Sequence, residues 1–325
     1  MSVSLAVIIL TLNEERHLER AIRSVAPIAT EIVVVDSYSS DKTVEIARSL
    51  GARVDQHKFV NHADQFQWAM EYVPLTSSWV LRLDADEYLT PELRDEIATK
   101  LPTLDANITG VIINRRHIFL GRFIRYGGRY PLAVLRLWRK GTARIEQRWM
   151  DEHLVLLRGY AVNFEQDFCD DNLSGVTAFI EKHNGYATRE AIDVLNRRYK
   201  FLPRDTALVE RPWQKGTSVK RLLKERIYND LPFATGPVLY FLYRYFIQLG
   251  FLDGREGFAY HFLQGFWYRV LVSVKVMEYE LAIAGLQSKQ QIIDSLRGLT
   301  GLDLGREIQS QPELSAGGSK DGLCD

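Results

Sequence analysis

In the segment WVLRLDADEYLTPEL, an apolar run from Trp79 to Leu83 leads straight into three acids, Asp84, Asp86 and Glu87. Negative charge clustered at the end of a buried strand is costly unless it meets a cation or a ligand. Carboxylates at i and i+2 project from one side of an extended segment. They offer hard oxygen donors of the kind Mg2+ or Mn2+ takes while keeping other positions for water and a substrate phosphate. Two more polar clusters close apolar runs upstream, TLNEE at 11–15 and DSYSSD at 36–41. An isolated Asp-x-Asp more often starts a turn or a helix, and Ser39, Ser40 and Asp41 suit a helix cap. Three such clusters at three strand ends point instead to one crevice, because open α/β sheets bind ligands beyond the carboxyl ends of their strands.

The elements that position these groups follow from hydrophobic pattern and punctuation. Val3–Leu12 reads as a buried strand, with Asn13 capping a helix whose first turn holds Glu14 and Glu15. Ile32–Val35 is the second strand, and a helix capped by Ser40 or Asp41 stops at Gly51. A strand near Ala52–Gln56, the helix ADQFQWAMEYV, the strand Trp79–Leu83 and a helix capped by Thr90 with Pro91 at its first position complete this half. Continuous apolar strands alternating with helices predict a mostly parallel sheet covered on both faces. After Gly110 the pattern turns strand-rich, in GVIINRRHIFLG, LAVLRLWRKG and HLVLLRGYAVNF, which predicts a mixed-sheet extension. Gly175–Leu195 then reads as a helix.

Composition narrows the function classes. The 325 residues, 46% hydrophobic, can bury a large core, and 41 basic residues balance 41 acidic ones. No global basic field argues for nucleic acid. Neither G-x-G-x-x-G nor G-x-x-x-x-G-K-[ST] occurs, which disfavours a dinucleotide enzyme and a P-loop NTPase. A sugar-1-phosphate nucleotidyltransferase would carry a Gly-rich basic loop where this chain has TLNEER. Cys169 and Cys324 fit no metal spacing, and the reading is a protein of the reducing cytoplasm. The apolar N-terminus lacks a basic leader and reads as a strand. No apolar run is long enough to span a bilayer.

The C-terminal third differs. Residues 196–233 hold ten Lys or Arg against four Asp or Glu, and an aromatic, Arg-interrupted helical stretch follows to about Gly285. This pattern fits a helix lying on anionic lipid, and equally a helical packing core or an interface with a second copy of the chain. The expected organisation is a catalytic domain at 1–195, a basic and aromatic helical region at 196–285 and a C-terminal segment at 286–325 whose last part is disordered.

TLNEE, VVVDSYSSDKTVEIARSLGARV and WVLRLDADEYLTPEL together resemble family-2 glycosyltransferases of the glycosyltransferase A fold, nearest to bacterial lipopolysaccharide-core β-1,4-glucosyltransferases. The resemblance covers Val3 to about Leu195, with a weaker extension to about Glu280. It implies a UDP-sugar donor, with Thr11, Asn13 and Glu14 shaping the nucleoside end of the pocket and Asp36 bonding uracil or ribose. It further implies Asp84 on the ribose or in the metal shell, and Asp86 as the direct ligand of Mn2+ or Mg2+ bridging the diphosphate. A sugar hydroxyl also needs a base. The matching segment is RWMDEHLVLLRG, where Glu152 stands in the family's Glu position and Asp151 replaces the His that precedes it in relatives, so both are candidates. His153 reads as an orienting or packing residue, and His183 and Tyr186 face the acceptor cleft or the helix surface.

The implied activity is inverting transfer of a hexose, glucose first, to a hydroxyl of a bacterial cell-surface glycan or lipid-linked precursor. It would take place on the cytoplasmic face of the inner membrane. The alternatives are a polyprenyl-phosphate glycosyltransferase, whose phosphate nucleophile needs no Glu152, and a nucleotide-sugar-binding protein without turnover.

Overall fold

The computed structural model describes residues 4–60, 62–146, 153–202 and 235–304. Strands β1 (Leu5–Thr11), β2 (Glu31–Asp36), β3 (Arg53–Gln56) and β4 (Trp79–Asp84) alternate with helices α1 (Leu18–Val25), α2 (Thr43–Ser49) and α3 (His62–Tyr72). Next come β5 (Glu87–Leu89), α4 (Pro91–Lys100), β6 (Ile108–Phe119), β7 (Arg122–Phe123) and β8 (Ala133–Arg139). A small antiparallel pair, β9 (Ala143–Ile145) and β10 (Leu154–Leu156), precedes β11 (Tyr160–Asp171) and the long helix α5 (Gly175–Tyr199). The strand-rich segment HLVLLRGYAVNF thus spans two strands, parted by a turn in which Gly159 takes φ +77°. Thr90 caps α4 as expected, its Oγ1 accepting from Leu93 N at 3.2 Å.

The main sheet runs β3-β2-β1-β4-β8-β6-β11-β5, with β7 paired to β6. β1 to β4 pair in parallel, and the antiparallel β8 joins them to the parallel pair β6 and β11. The sheet must curl. Four strand spacings separate β4 from β5, about 19 Å in a flat sheet, yet only Ala85 and Asp86 join these strands, and three Cα steps reach about 11 Å. The pair Asp84 and Asp86 sits on that short crossing.

Both faces of the sheet are packed around β1 and β2, which is why these two strands lack polar alternation. Leu5, Val7 and Ile9 face α1 and α4 through Leu18, Ile22, Leu93 and Ile97. Ala6, Ile8 and Leu10 face α3 and the β9–β10 pair through Phe66, Ile145 and Leu154.

The C-terminal chain forms α6 (Thr235–Leu242), a π-turn at Tyr243–Ile247, a 3-10 turn at Gly250–Asp253, α7 (Gly254–Tyr260), a π-turn at His261–Trp267, α8 (Tyr268–Ile283) and α9 (Lys289–Thr300). Gly285, at φ +82°, ends the aromatic stretch. Ala187, Ala191 and Leu195 of α5 share one core with Val272 and Val276 of α8 and Ile293 and Leu296 of α9. Residues 289–300 of the C-terminal segment are thus a packed helix.

His261 is fully buried at the junction of these helices with the sheet, 3.7 Å from Asp253. Neither ring nitrogen is hydrogen-bonded among the described residues. Gly127, at φ +66°, makes room for the ring, since a Cβ there would sit 2.2 Å from it. Burial first, then the Arg244 and Arg129 guanidiniums, push His261 down to about 3. An unfolded histidine takes its proton near 6.5, so the folded chain binds fewer protons between those values and loses stability as pH falls through that window. The urea midpoint is expected to drop from pH 7.5 to pH 5, and to drop less in His261→Leu. Equal pH dependence in both proteins would refute this role.

Candidate active site

The strand registers set the predicted groups at one level: Thr11 pairs with Asp36 across β1–β2, and Leu10 pairs with Asp84 across β1–β4. Asp36 is fully buried. Its Oδ1 accepts from Thr11 Oγ1 at 3.0 Å and Ser39 Oγ at 2.5 Å, and its Oδ2 from Ser39 N at 2.9 Å and Gln56 Nε2 at 3.3 Å. Thr11 and Asp36 therefore bind each other and fix the turn after β2.

The first two polar clusters are stitched together in the same way. Asn13 does not cap α1, which starts at Leu18 behind His17. It adopts φ +57°, and its Oδ1 accepts from Ser40 N at 2.8 Å. Glu14 N donates to Thr43 Oγ1 at 2.7 Å, and the Glu14 carboxylate meets His17 Nδ1 at 2.6 Å. The other nitrogen of His17 accepts from Leu173 N at 2.9 Å, which assigns the proton to Nδ1. Much of the polarity after β1 and β2 thus shapes the rim of the crevice.

Asp84 and Asp86 divide the work at the third cluster. Asp84 Oδ1 accepts from Arg82 Nε at 3.2 Å, and its Oδ2 lies 3.5 Å from Arg136 Nη2. Burial acts to raise its carboxyl, but Arg82 and Arg136, with His62, hold it far below the usual range. Glu87, buried beneath, accepts from Arg136 Nη2 at 2.5 Å and from Asp84 N at 2.9 Å. Burial and the neighbouring Asp84 push it up to about 8 against the pull of Arg136. On the adjoining strands, Asp170 meets His117 Nδ1 at 3.2 Å and Arg115 Nη1 at 3.4 Å. Arg136 and Glu87 are buried, and Arg115, His117 and Asp170 half-buried beside them, a charged layer that the sequence motifs do not single out. Its signal was present as charge inside strands, in NRRHIF and LRLWR.

Asp86 faces the other way. Its backbone carbonyl accepts from Asp171 N at 3.0 Å and Arg20 Nη2 at 3.4 Å, and Arg20 also binds the Asp171 carboxylate at 2.6 Å. Its Oδ2 accepts from Asn172 Nδ2 at 3.0 Å and lies 3.6 Å from Lys182 Nζ. Oδ1 has no hydrogen-bond partner among the described residues. Burial opposes the charge on Lys182, but Asp86, then Tyr186, raise its ammonium above the ordinary lysine value. Beside it on α5, His183 Nδ1 donates to Phe179 O at 2.8 Å, and burial pushes its imidazole down to about 4.

No group of three or more His, Cys, Asp or Glu that could hold a metal occurs among the described residues. A magnesium- or manganese-like ion needs only one or two protein carboxylates when substrate phosphate and water supply the rest. Asp86, with one open oxygen, fits that role. Asp84, turned to two arginines, fits an outer one. Asp151 and Glu152 lie outside the described residues. The chain on either side of them is joined by the Glu146 N–H donating to His153 O at 2.8 Å.

A curled α/β sheet with an Asp-x-Asp on a strand crossing is the architecture of a glycosyltransferase A fold. The family model for glycosyl transferase family 2 matches residues 6–170, and the chain belongs to that family. An uncharacterized glycosyltransferase of Rickettsia bellii (strain RML369-C) is 44% identical over 97 residues, 30% of this chain and 32% of that protein. The lipopolysaccharide core biosynthesis glycosyltransferase LpsC of Rhizobium meliloti (strain 1021) is 32% identical over 147 residues, 44% of this chain and 53% of that protein. The chain therefore matches between about a third and a half of the length of these relatives. Glucosyl-3-phosphoglycerate synthase from Mycobacterium tuberculosis, solved with Mn2+ and UDP, is a distant likeness. Its TM-score is 0.28 and its identity 23%, over 36% of this chain and 44% of that one.

Proposed function

We propose that this glycosyltransferase moves a hexose, glucose first, from a UDP-sugar to a hydroxyl of a bacterial cell-surface glycan or its lipid-linked precursor, with inversion. The observation that carries the reading is Asp86: a carboxylate held rigidly by its backbone, with one oxygen open beside the cationic Lys182. A divalent cation at Asp86, when bound, would supply Lewis-acid neutralisation of the departing nucleoside diphosphate. Lys182 adds positive charge on the same side. Asp84 keeps its charge against Arg82 and Arg136 and supports ribose recognition at the crevice wall, while Thr11, Asn13, Glu14 and Asp36 shape the nucleoside end. The named role of LpsC in lipopolysaccharide core synthesis supports a surface-glycan acceptor.

Inversion requires one displacement at the anomeric carbon. The acceptor oxygen bonds to that carbon as its bond to the diphosphate oxygen breaks, and the hydroxyl proton passes to a carboxylate, Glu152 or Asp151. The test is UDP release from UDP-Glc, UDP-Gal and UDP-GlcNAc, and GDP release from GDP-Man, each with Mn2+, Mg2+ or chelator. Release from UDP-Glc above the others, abolished by chelator, is the expected result. Preference for GDP-Man, or turnover unaffected by chelator, would overturn the donor or the metal assignment respectively.

A further inference from the structure

The segment from α6 to the second π-turn carries an apolar face left open by the rest of the described chain. Ile247 is 72% exposed and Phe246 55%, and Leu249, Phe251, Leu252, Phe258 and Phe262 are exposed beside them. The aromatic members are contiguous. The Tyr245 ring lies 5.2 Å from Phe246, 6.3 Å from Phe251 and 5.6 Å from Phe258, and Phe258 stacks on Phe262 at 6.1 Å. A contiguous apolar face of this kind on a folded domain marks a contact surface.

Its underside is fixed to the sheet. Asp253 accepts from Arg125 N at 3.1 Å and Tyr126 N at 2.9 Å, and Arg244 Nε donates to Gly127 O at 2.8 Å. Tyr260 lies 4.8 Å from the His117 ring, part of the charged layer of the site. The face is therefore a rigid part of the catalytic body.

The charge around the tip selects its occupant. Arg122 reaches Leu252 O at 3.4 Å, Arg125 is anchored through its backbone at Asp253, and Arg255 opens α7; all three are exposed. The acids nearby are Glu256, 3.8 Å from Arg122, and the buried Asp253. Apolar rings with a collar of guanidiniums complement an anionic bilayer surface, where rings enter the boundary of headgroups and chains and the cations stay with the phosphates. A second copy docked face to face would bring two arginine collars together. No described helix is long and apolar enough to cross a membrane, so the contact is with the surface.

We infer that residues 246–262 dock this protein on an anionic lipid surface, with Leu249–Leu252 as the inserted tip. The inference deepens the proposed function by placing transfer at a membrane, and lipid binding is measurable without any sugar donor.

The test uses the full chain with a fluorescent label at Ile247→Cys in a Cys324→Ser background, the remaining Cys169 being buried. Vesicles of phosphatidylglycerol and phosphatidylcholine should shift the label to the blue, and nitroxide lipids should quench it. Phosphatidylcholine alone should do much less. Arg122→Ala with Arg255→Ala should weaken vesicle partitioning by roughly fivefold for each arginine removed, and Phe251→Ser with Leu252→Ser should abolish the blue shift. UDP binding by calorimetry serves as the check on folding, and its loss in the unmodified chain would count against the donor reading alone. No shift with anionic vesicles would overturn the inference. So would an oligomer in sedimentation velocity that Phe251→Ser dissolves, or cover by the chain's own residues 203–234 that keeps the label shielded without lipid.

Discussion

Asp86→Ala is expected to abolish metal-dependent donor binding and lower transfer by about 10³-fold or more, while leaving the melting temperature close to that of the parent. The magnitude follows from losing several kcal/mol of charge stabilisation on the leaving group, at about 1.4 kcal/mol for each factor of ten. The unchanged stability follows from geometry. The Asp86 backbone carbonyl, not its carboxylate, is what Asp171 N and Arg20 hold. Its side chain meets Asn172 and a Lys182 that is 47% exposed and can return to water. Asp84→Ala should behave differently. It strips a partner from Arg82 and from the buried Arg136, so it should lower the melting temperature, by a modest amount because Asp84 is 35% exposed and Arg136 keeps Glu87. Calorimetric titration of UDP with and without Mn2+, beside a thermal melt, separates the two variants. Full metal-dependent UDP affinity in Asp86→Ala would end the assignment.

The same contrast explains what the sequence could and could not convey. Strand ends were legible because a strand buried on both faces writes itself as an unbroken apolar run, as in AVIIL and IVVV, and the polar groups that follow are then conspicuous. The register that aligns Thr11, Asp36 and Asp84 follows from those runs. Membership of the family rested on the same three segments, and its model covers them.

What each polar group does was far less legible. A polar residue at a strand end can bind ligand or bind the next loop, and the two look identical in one dimension. Asp36, read as a uracil or ribose partner, accepts four hydrogen bonds from the protein. Asn13, read as a helix cap, ties one loop to the other. The charged layer of Arg115, Arg136, Glu87 and Asp170 was hidden for a different reason. Its partners come from strands up to 83 positions apart, as Glu87 and Asp170 are, and meet only because the sheet curls. Lys182 likewise reaches Asp86 from a helix that is remote in sequence.

Glu152→Gln is expected to leave UDP affinity intact and lower the rate of transfer by roughly 10²-fold or more, the scale of losing a general base. The substitution keeps shape and hydrogen bonding while removing proton affinity, so a loss confined to kcat would identify the proton acceptor. Asp151→Asn should cost less, because the resemblance to family-2 glycosyltransferases puts Glu152, not Asp151, in the position of the general base. The two residues follow β9 and precede β10, whose register is fixed by Leu154 pairing with Ile145. A reversed order of effects would make Asp151 the base. If neither variant slows transfer, the nucleophile carries no proton that needs removing, which is the behaviour of a phosphate acceptor; a polyprenyl phosphate would then replace the sugar hydroxyl as the substrate to test.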